Sequence, residues 1–281
     1  MKLVTWNTQW CCGLDGTVSP ERIVDGARAL ADFDVLCLQE ISQGFDGLPG
    51  TPGDQPAQLQ ALLPGFQLFF GAAVDDFSSD GTRRRFGNVI ATRLPVHHVQ
   101  HHPLPWPADA GVRCMPRICS VVTLRDPMLG PLRVMTTHLE FYSKKQRMAQ
   151  ARALRELHAS YCALAAAPPE DLPGENSAFS GKLHTAQALL CGDFNLEPSD
   201  PEYPEISAPF EHGRLHDAWR VLHGPQPHEP TFRLFDRTYG PEPIACDFVF
   251  ASDGLVPHLK RLRIDARTRA SDHQPVALEL A

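Results

Sequence analysis

Leu189-Leu190-Cys191-Gly192-Asp193-Phe194-Asn195 runs a short apolar segment straight into a carboxylate and a carboxamide. Residues 187–191 are too few for a stable helix and too apolar for a surface loop. They read as a buried strand that delivers Asp193 and Asn195 at its end. Working outward, the pattern recurs. Asn7 follows Leu3-Val4-Thr5-Trp6, Glu40 follows Leu36-Cys37-Leu38-Gln39, and His138 follows Met135-Thr136-Thr137. Asp247 interrupts Ile244-Ala245-Cys246 and Phe248-Val249-Phe250, and Asp272-His273 precede the last strand. One such residue is an ordinary turn former, but a whole set of them is not. A carboxylate beside a buried strand carries a desolvation cost unless it is paired or bound to metal, and Asp247 makes that case best.

The rest of the chain supplies helices between these strands. Ser19 reads as an N-cap with Pro20 in the first turn, and Ile23, Val24, Ala27 and Leu30 give an amphipathic helix over 20–32. Further helices are expected over 55–63, 144–166 and 217–222, the longest with Met148, Ala151, Leu154, Leu157, Tyr161 and Leu164 on one face. Arg147 and Gln150 fall on its expected solvated side. Other strands are expected over 2–6, 34–39, 66–72, 87–92, 96–100, 118–124, 132–137, 244–250, 259–264 and 275–280. The proline-rich stretch 101–116 and the segment 168–185 read as loops. The segments interleave without a linker, so residues 1–281 read as a single α/β domain.

Composition narrows the function. Hydrophobic residues make up 43% and charged residues 21% of 281, which excludes a disordered chain. No apolar run approaches the ~18 residues of a membrane span, and the first residues read as a strand, not a signal peptide. A cytoplasmic protein without stable membrane insertion or an obligate protein partner is expected. The formal charge of −7 argues against a protein that coats nucleic acid. Eight cysteines include no Cys-x-x-Cys pair, which argues against a zinc module and for small buried thiols. His97-His98 and His101-His102 lack a neighbouring carboxylate cluster and read as a loop edge.

The ordered set Trp6-Asn7-Thr8-Gln9, Leu38-Gln39-Glu40, Gly87-Asn88-Val89-Ile90, Thr137-His138-Leu139-Glu140, Gly192-Asp193-Phe194-Asn195, Cys246-Asp247-Phe248-Val249 and Ser271-Asp272-His273 resembles the endonuclease/exonuclease/phosphatase superfamily of DNase I-like phosphoesterases. The resemblance spans nearly the whole chain. It implies a two-sheet α/β sandwich of four layers, helix–sheet–sheet–helix, with the site where loops of both sheets meet at one edge.

The chemistry matches the residue types. A phosphodiester repels an attacking hydroxide unless a cation neutralises its oxygens. Glu40 and Asp272 are hard oxygen ligands suited to Mg²⁺ or Mn²⁺, with Asn7 helping directly or through water. Asp193 can orient and deprotonate a water for in-line attack, and Asn195 can hold that water or a phosphate oxygen. His273 and His138 can donate hydrogen bonds to the non-bridging oxygens, and Asp247 can fix the tautomer of either ring. Asn88, Arg117 and Tyr142 are candidate substrate contacts, and Glu140 could orient His138.

A catalytically dead scaffold would most readily lack Asp193, His273 or Glu40, and all three are present. Among substrates, nucleic acid is placed first, and a phospholipid or small-molecule phosphoester second. Arg83-Arg84-Arg85 is the only basic run, while 196–212 is acidic, which disfavours a multiply phosphorylated headgroup. Leu104-Pro105-Trp106-Pro107 is the one segment expected to touch an apolar group.

Overall fold

In the computed structural model, which describes residues 1–170 and 178–281, the first three elements set the plan. Strand β1 (Lys2–Asn7) leads through helix α1 (Pro20–Leu30) to β2 (Val35–Gln43), which lies parallel to β1 with Asn7 opposite Gln39. Parallel neighbours need a crossover, and α1 supplies it. The helix starts where the sequence places it: the Ser19 side chain accepts from the Arg22 N–H, and Ile23, Val24 and Ala27 are buried. Leu3, Val35 and Cys37 face the interior between two sheets, while Val4, Trp6, Leu36 and Leu38 pack beneath α1 and α2 (Gln55–Leu62). Both faces are therefore covered, which is why Val35–Leu38 is apolar at every position instead of alternating.

Strands β3 (Gln67–Phe77) and β4 (Arg83–Thr92) extend this sheet on one side. The second sheet begins with β5 (Val96–Pro103), β6 (Ile118–Asp126) and β7 (Gly130–His138). It repeats the parallel crossover: β7 leads through α3 (Lys144–Ala166) to β8 (Ala188–Asp193), with His138 opposite Asp193. After α4 (Glu202–Ser207), β9 (Leu215–Asp217) and α5 (Ala218–His223), strand β10 (Asp247–Ser252) pairs antiparallel to β8 with Asp247 opposite Asp193. Strands β11 (Leu259–Ile264) and β12 (Val276–Leu280) then close the first sheet. The orders are β11-β12-β1-β2-β4-β3 and β5-β6-β7-β8-β10-β9. Ala151 and Leu154 of α3 pack on Val121, Met135, Leu190 and Phe250, completing the four expected layers. No helix among the described residues is long and apolar enough to cross a membrane.

Gly192 has φ +134°, and a Cβ there would lie 2.0 Å from the Thr137 carbonyl oxygen. Only glycine lets β8 approach β7 at this point, directly before Asp193.

Several expectations need correction. Arg83–Arg85 open β4 ahead of the strand expected over 87–92, β5 runs on to Pro103, and Asp247 begins its strand instead of interrupting one. Strand β9 and a 3₁₀ helix over Asp253–His258 were not expected. Arg147 and Gln150 are buried, not solvated. Arg147 donates to the Glu140 and Phe141 carbonyls and pairs with Glu202, and Gln150 accepts from the Glu140 N–H. Their polarity is satisfied by the chain around the site, which apolar periodicity does not register. Of the expected loop 168–185, residues 171–177 lie outside the described residues.

Candidate active site

The carboxyl ends of the two parallel pairs converge at one edge of the sandwich. Asn7 and Glu40 come from β1 and β2, His138 and Asp193 from β7 and β8. Ligands of open α/β sheets bind outside such strand ends. The antiparallel partners add the rest, Asp247 at the start of β10 and Asp272-His273 just before β12. Gln39 ties the sheets together by donating to the Thr5 and Thr136 hydroxyls.

Local backbone geometry aims these side chains. The pairing of β2 with β4 slips between Leu38 and Ile41, and Glu40 within this bulge has φ +60°. Asn195 has φ +50°, and Gln9, Trp10 and Cys11 form a run with φ of +49°, +44° and +57°. Left-handed non-glycine residues are uncommon and carry strain, so their clustering here marks a site held in shape by its surroundings.

Asn7 lies at the centre. Its Nδ2 donates to Glu40 Oε1 at 3.0 Å and to Asp193 Oδ2 at 2.8 Å, while its Oδ1 accepts the Gln9 N–H. Asn7 thus bridges the two carboxylates and turns its oxygen away from them. His273 Nδ1 lies 2.9 Å from Asp247 Oδ2, and its Nε2 lies 3.6 Å from Asp193 Oδ2. Asp247 Oδ2 also accepts from the Thr231 hydroxyl at 2.6 Å, and the Phe232 ring stacks on His273 at 4.2 Å and 17°. Asn195 donates through Nδ2 to the Leu139 carbonyl and approaches His138 Nε2 at 2.9 Å. The Leu139 carbonyl fixes the orientation of that amide, so His138 Nε2 is the acceptor and its proton sits on Nδ1, 3.9 Å from Glu40.

Charges are strongly coupled here. Burial, followed by the Asp272 carboxylate, lifts the Glu40 carboxyl to about 7, although its side chain keeps 20% of its surface open to the cleft. Burial lifts Asp193 to about 6 against the pull of His273, and raises Asp272 as well. Burial alone would neutralise His273, yet the carboxylates of Asp247 and Asp193 outweigh it and hold the ring well above its usual range, as a cation. Burial, reinforced by Arg117 and His273, drives His138 well below its usual range, so that ring is neutral.

The sequence matches the family model described as Endonuclease/Exonuclease/phosphatase family over residues 4–273. The chain belongs to the endonuclease/exonuclease/phosphatase family. Members are hydrolases of phosphoester bonds and generally use a divalent metal. The structure is similar to that of an endonuclease/exonuclease/phosphatase from Beutenbergia cavernae, with 25% identity, a TM-score of 0.69, and coverage of 100% of this chain and 72% of the other. It also resembles a mannosyl-6-phosphatase from Bacteroides thetaiotaomicron (20% identity, TM-score 0.67, 100% and 99% covered). The human Nocturnin catalytic domain with bound sulfate is a further likeness (19%, 0.62, 100% and 94%). No curated protein matches the sequence.

The donor set fits the cation this family generally uses. Glu40, Asp193 and Asp272 line one cavity, burial raises each carboxyl above its ordinary value, and a divalent ion would offset that cost with the hard oxygen ligands it prefers. Asp193, Cys246 and His273 also present ligand atoms within 4.8 Å of one another. That trio suits a cation less well. Burial and Asp247 keep the Cys246 thiol protonated, and His273 Nδ1 is already engaged by Asp247.

The outer candidates divide. Arg117 and Tyr142 line a cavity of about 430 Å³ above the carboxylates, Arg117 buried and paired with Glu140, Tyr142 exposed. Asn88 is buried, donates to the Ile118 carbonyl and lines only a small adjoining space. Glu140 does not reach His138. It accepts from the Met115 and Tyr142 N–H groups and from Arg117, shaping the loop instead. Arg83 and Arg84 are matched across the hairpin by Asp75 and Asp76. His101 and His102 bond to Ser120 and Tyr161. The cavity walls went unread in the sequence. Trp10, Phe45, Phe86, Phe141, Phe232 and Tyr239 come from separate segments, and the Trp106 segment is not among them.

Proposed function

We propose that this chain is a Mg²⁺- or Mn²⁺-dependent phosphoesterase that hydrolyses a small-molecule phosphoester by in-line attack of water. The observation that carries this reading is the meeting of Asp193 with two unlike partners: Glu40, joined to it through Asn7, and the Asp247-backed His273 cation. Glu40 and Asp272 would hold the ion, and Asn7 fixes Glu40 and Asp193 relative to each other by donating to both. When bound there, such an ion would supply neutralisation of charge on the phosphoryl oxygens.

The chain's own residues do the rest. Asp193, with a carboxyl near 6, stays ionised at neutral pH yet is basic enough to take a proton from water. His273, charged and anchored through Nδ1, presents its Nε2–H to a phosphoryl oxygen where negative charge grows. Asn195 holds neutral His138 in place, which leaves His273 as the principal donor.

A cleft of limited volume, an acidic chain and a basic run in which Arg83 and Arg84 are already neutralised by Asp75 and Asp76 favour a small ester over a long polyanion. The fold does not choose among substrates. Eight unpaired cysteines support a reducing, cytoplasmic setting. The test is turnover of bis(p-nitrophenyl) phosphate, p-nitrophenyl phosphate, oligonucleotides and duplex DNA with Mg²⁺ or Mn²⁺, with and without chelator. Small esters should be cleaved only with metal. Undiminished turnover in excess chelator would sink the metal assignment, and faster cleavage of duplex DNA would overturn the small-substrate reading.

A further inference from the structure

We infer that the wall of the cavity is a subsite for a flat aromatic group on the organic arm of the phosphoester, a substrate class that rests on the phosphoesterase reading above. The wall starts at the reacting centre, where Phe232 lies flat on His273. It continues through Tyr239, 6.2 Å from Phe232, to Phe141 at 5.7 Å and Tyr142 at 4.8 Å beyond that. Tyr142 and Tyr239 leave 45% and 48% of their surfaces exposed, a large aromatic area offered to solvent beside a cleft whose floor is charged. Scattered exposed apolar residues are ordinary, but rings continuous with a catalytic histidine are a recognition surface.

A second group of rings lines the same cavity. Phe45 and Phe86 meet edge to face at 6.2 Å. Trp10 is held by the left-handed run of residues 9–11 and by a bond from its Nε1 to the Pro49 carbonyl. Strain of this kind persists only where the surroundings enforce it, and here it sets an indole into the cavity lining. Arg113 lies over the Tyr142 ring at 5.5 Å and makes no ion pair among the described residues, so its guanidinium edge is free to meet a polar atom of the bound group. Aromatic rings gathered in one cavity select a planar guest by stacking and edge contact, where an alkyl chain would gain only from area. A nucleobase and a simple aryl group share this chemistry.

Calorimetry in the presence of Mn²⁺ separates the possibilities without relying on turnover. The probes are methyl-, hexyl- and benzylphosphonate and thymidine 5′-monophosphate, which all carry a phosphoryl group but differ in the arm. Benzylphosphonate should bind about tenfold or more tighter than methylphosphonate, and tighter than the hexyl compound. A nucleotide tighter still identifies a base as the natural arm; a weaker one points to a simple aryl ester. Tyr142→Ala/Tyr239→Ala, two exposed positions that do not threaten folding, should reduce the benzyl-to-methyl ratio about tenfold, and Tyr239→Phe should preserve it. Equal binding of benzyl and methyl compounds, or tighter binding of hexyl, would overturn the subsite and leave the phosphoesterase reading standing. Failure of every phosphonate to bind would overturn both.

Discussion

Asp193→Asn is expected to lower kcat by about 10²–10⁴-fold, the usual contribution of a general base. Asp193 Oδ2 lies 2.8 Å from Asn7 Nδ2, 3.4 Å from His138 Nε2 and 3.6 Å from His273 Nε2, so a neutral amide of the same shape removes the proton acceptor at the centre of the site. The backbone is held independently, through the Leu139 and Phe194 N–H bonds, so the variant should fold. Single-turnover rates and KM should show the loss in the chemical step and not in binding. A kcat within tenfold of the parent enzyme would remove Asp193 from this role.

Asp247→Asn and His273→Ala should each lower kcat by at least tenfold, and the double variant should be little worse than the worse single. Groups acting as one unit are non-additive, and the 2.9 Å bond between Asp247 Oδ2 and His273 Nδ1 makes these two a unit. The sequence left open which imidazole Asp247 serves; the structure gives His138 to Asn195 instead. Asp247→Asn combined with His138→Ala should therefore multiply. A purely structural Asp247, satisfying Thr231 and the strand crossing, would lower the melting temperature and leave kcat near normal. Rate losses that multiply cleanly for Asp247 and His273 would support that alternative.

The residues at strand ends were legible because each terminates an apolar run. Glu40 after Leu36–Gln39 and Asp193 after Leu189–Gly192 are polar residues in places where burial demands a partner. The cap at Ser19 and the helix after it were legible for an equally local reason. What escaped depends on pairing across the fold. Arg147 and Gln150 look solvated by period but serve carbonyl and N–H groups of the loop after β7. Arg83 and Arg84 look like a basic run until the hairpin brings Asp75 and Asp76 into ion pairs with them. Glu140 stands two residues from His138, but Arg117 and two backbone N–H groups claim it. The aromatic walls come from segments far apart in sequence, so no local pattern links Trp10, Phe45 and Tyr239.

If Glu40 and Asp272 form a cation site, Mn²⁺ affinity must depend on the Glu40 carboxylate. Calorimetric titration of the parent enzyme and of Glu40→Gln in one buffer, at matched folding, should show Mn²⁺ binding in the parent and at least about tenfold weaker binding in the variant. Equal affinity in the two proteins would contradict the account, because it would place the ion, if one binds, somewhere other than between Glu40 and Asp272.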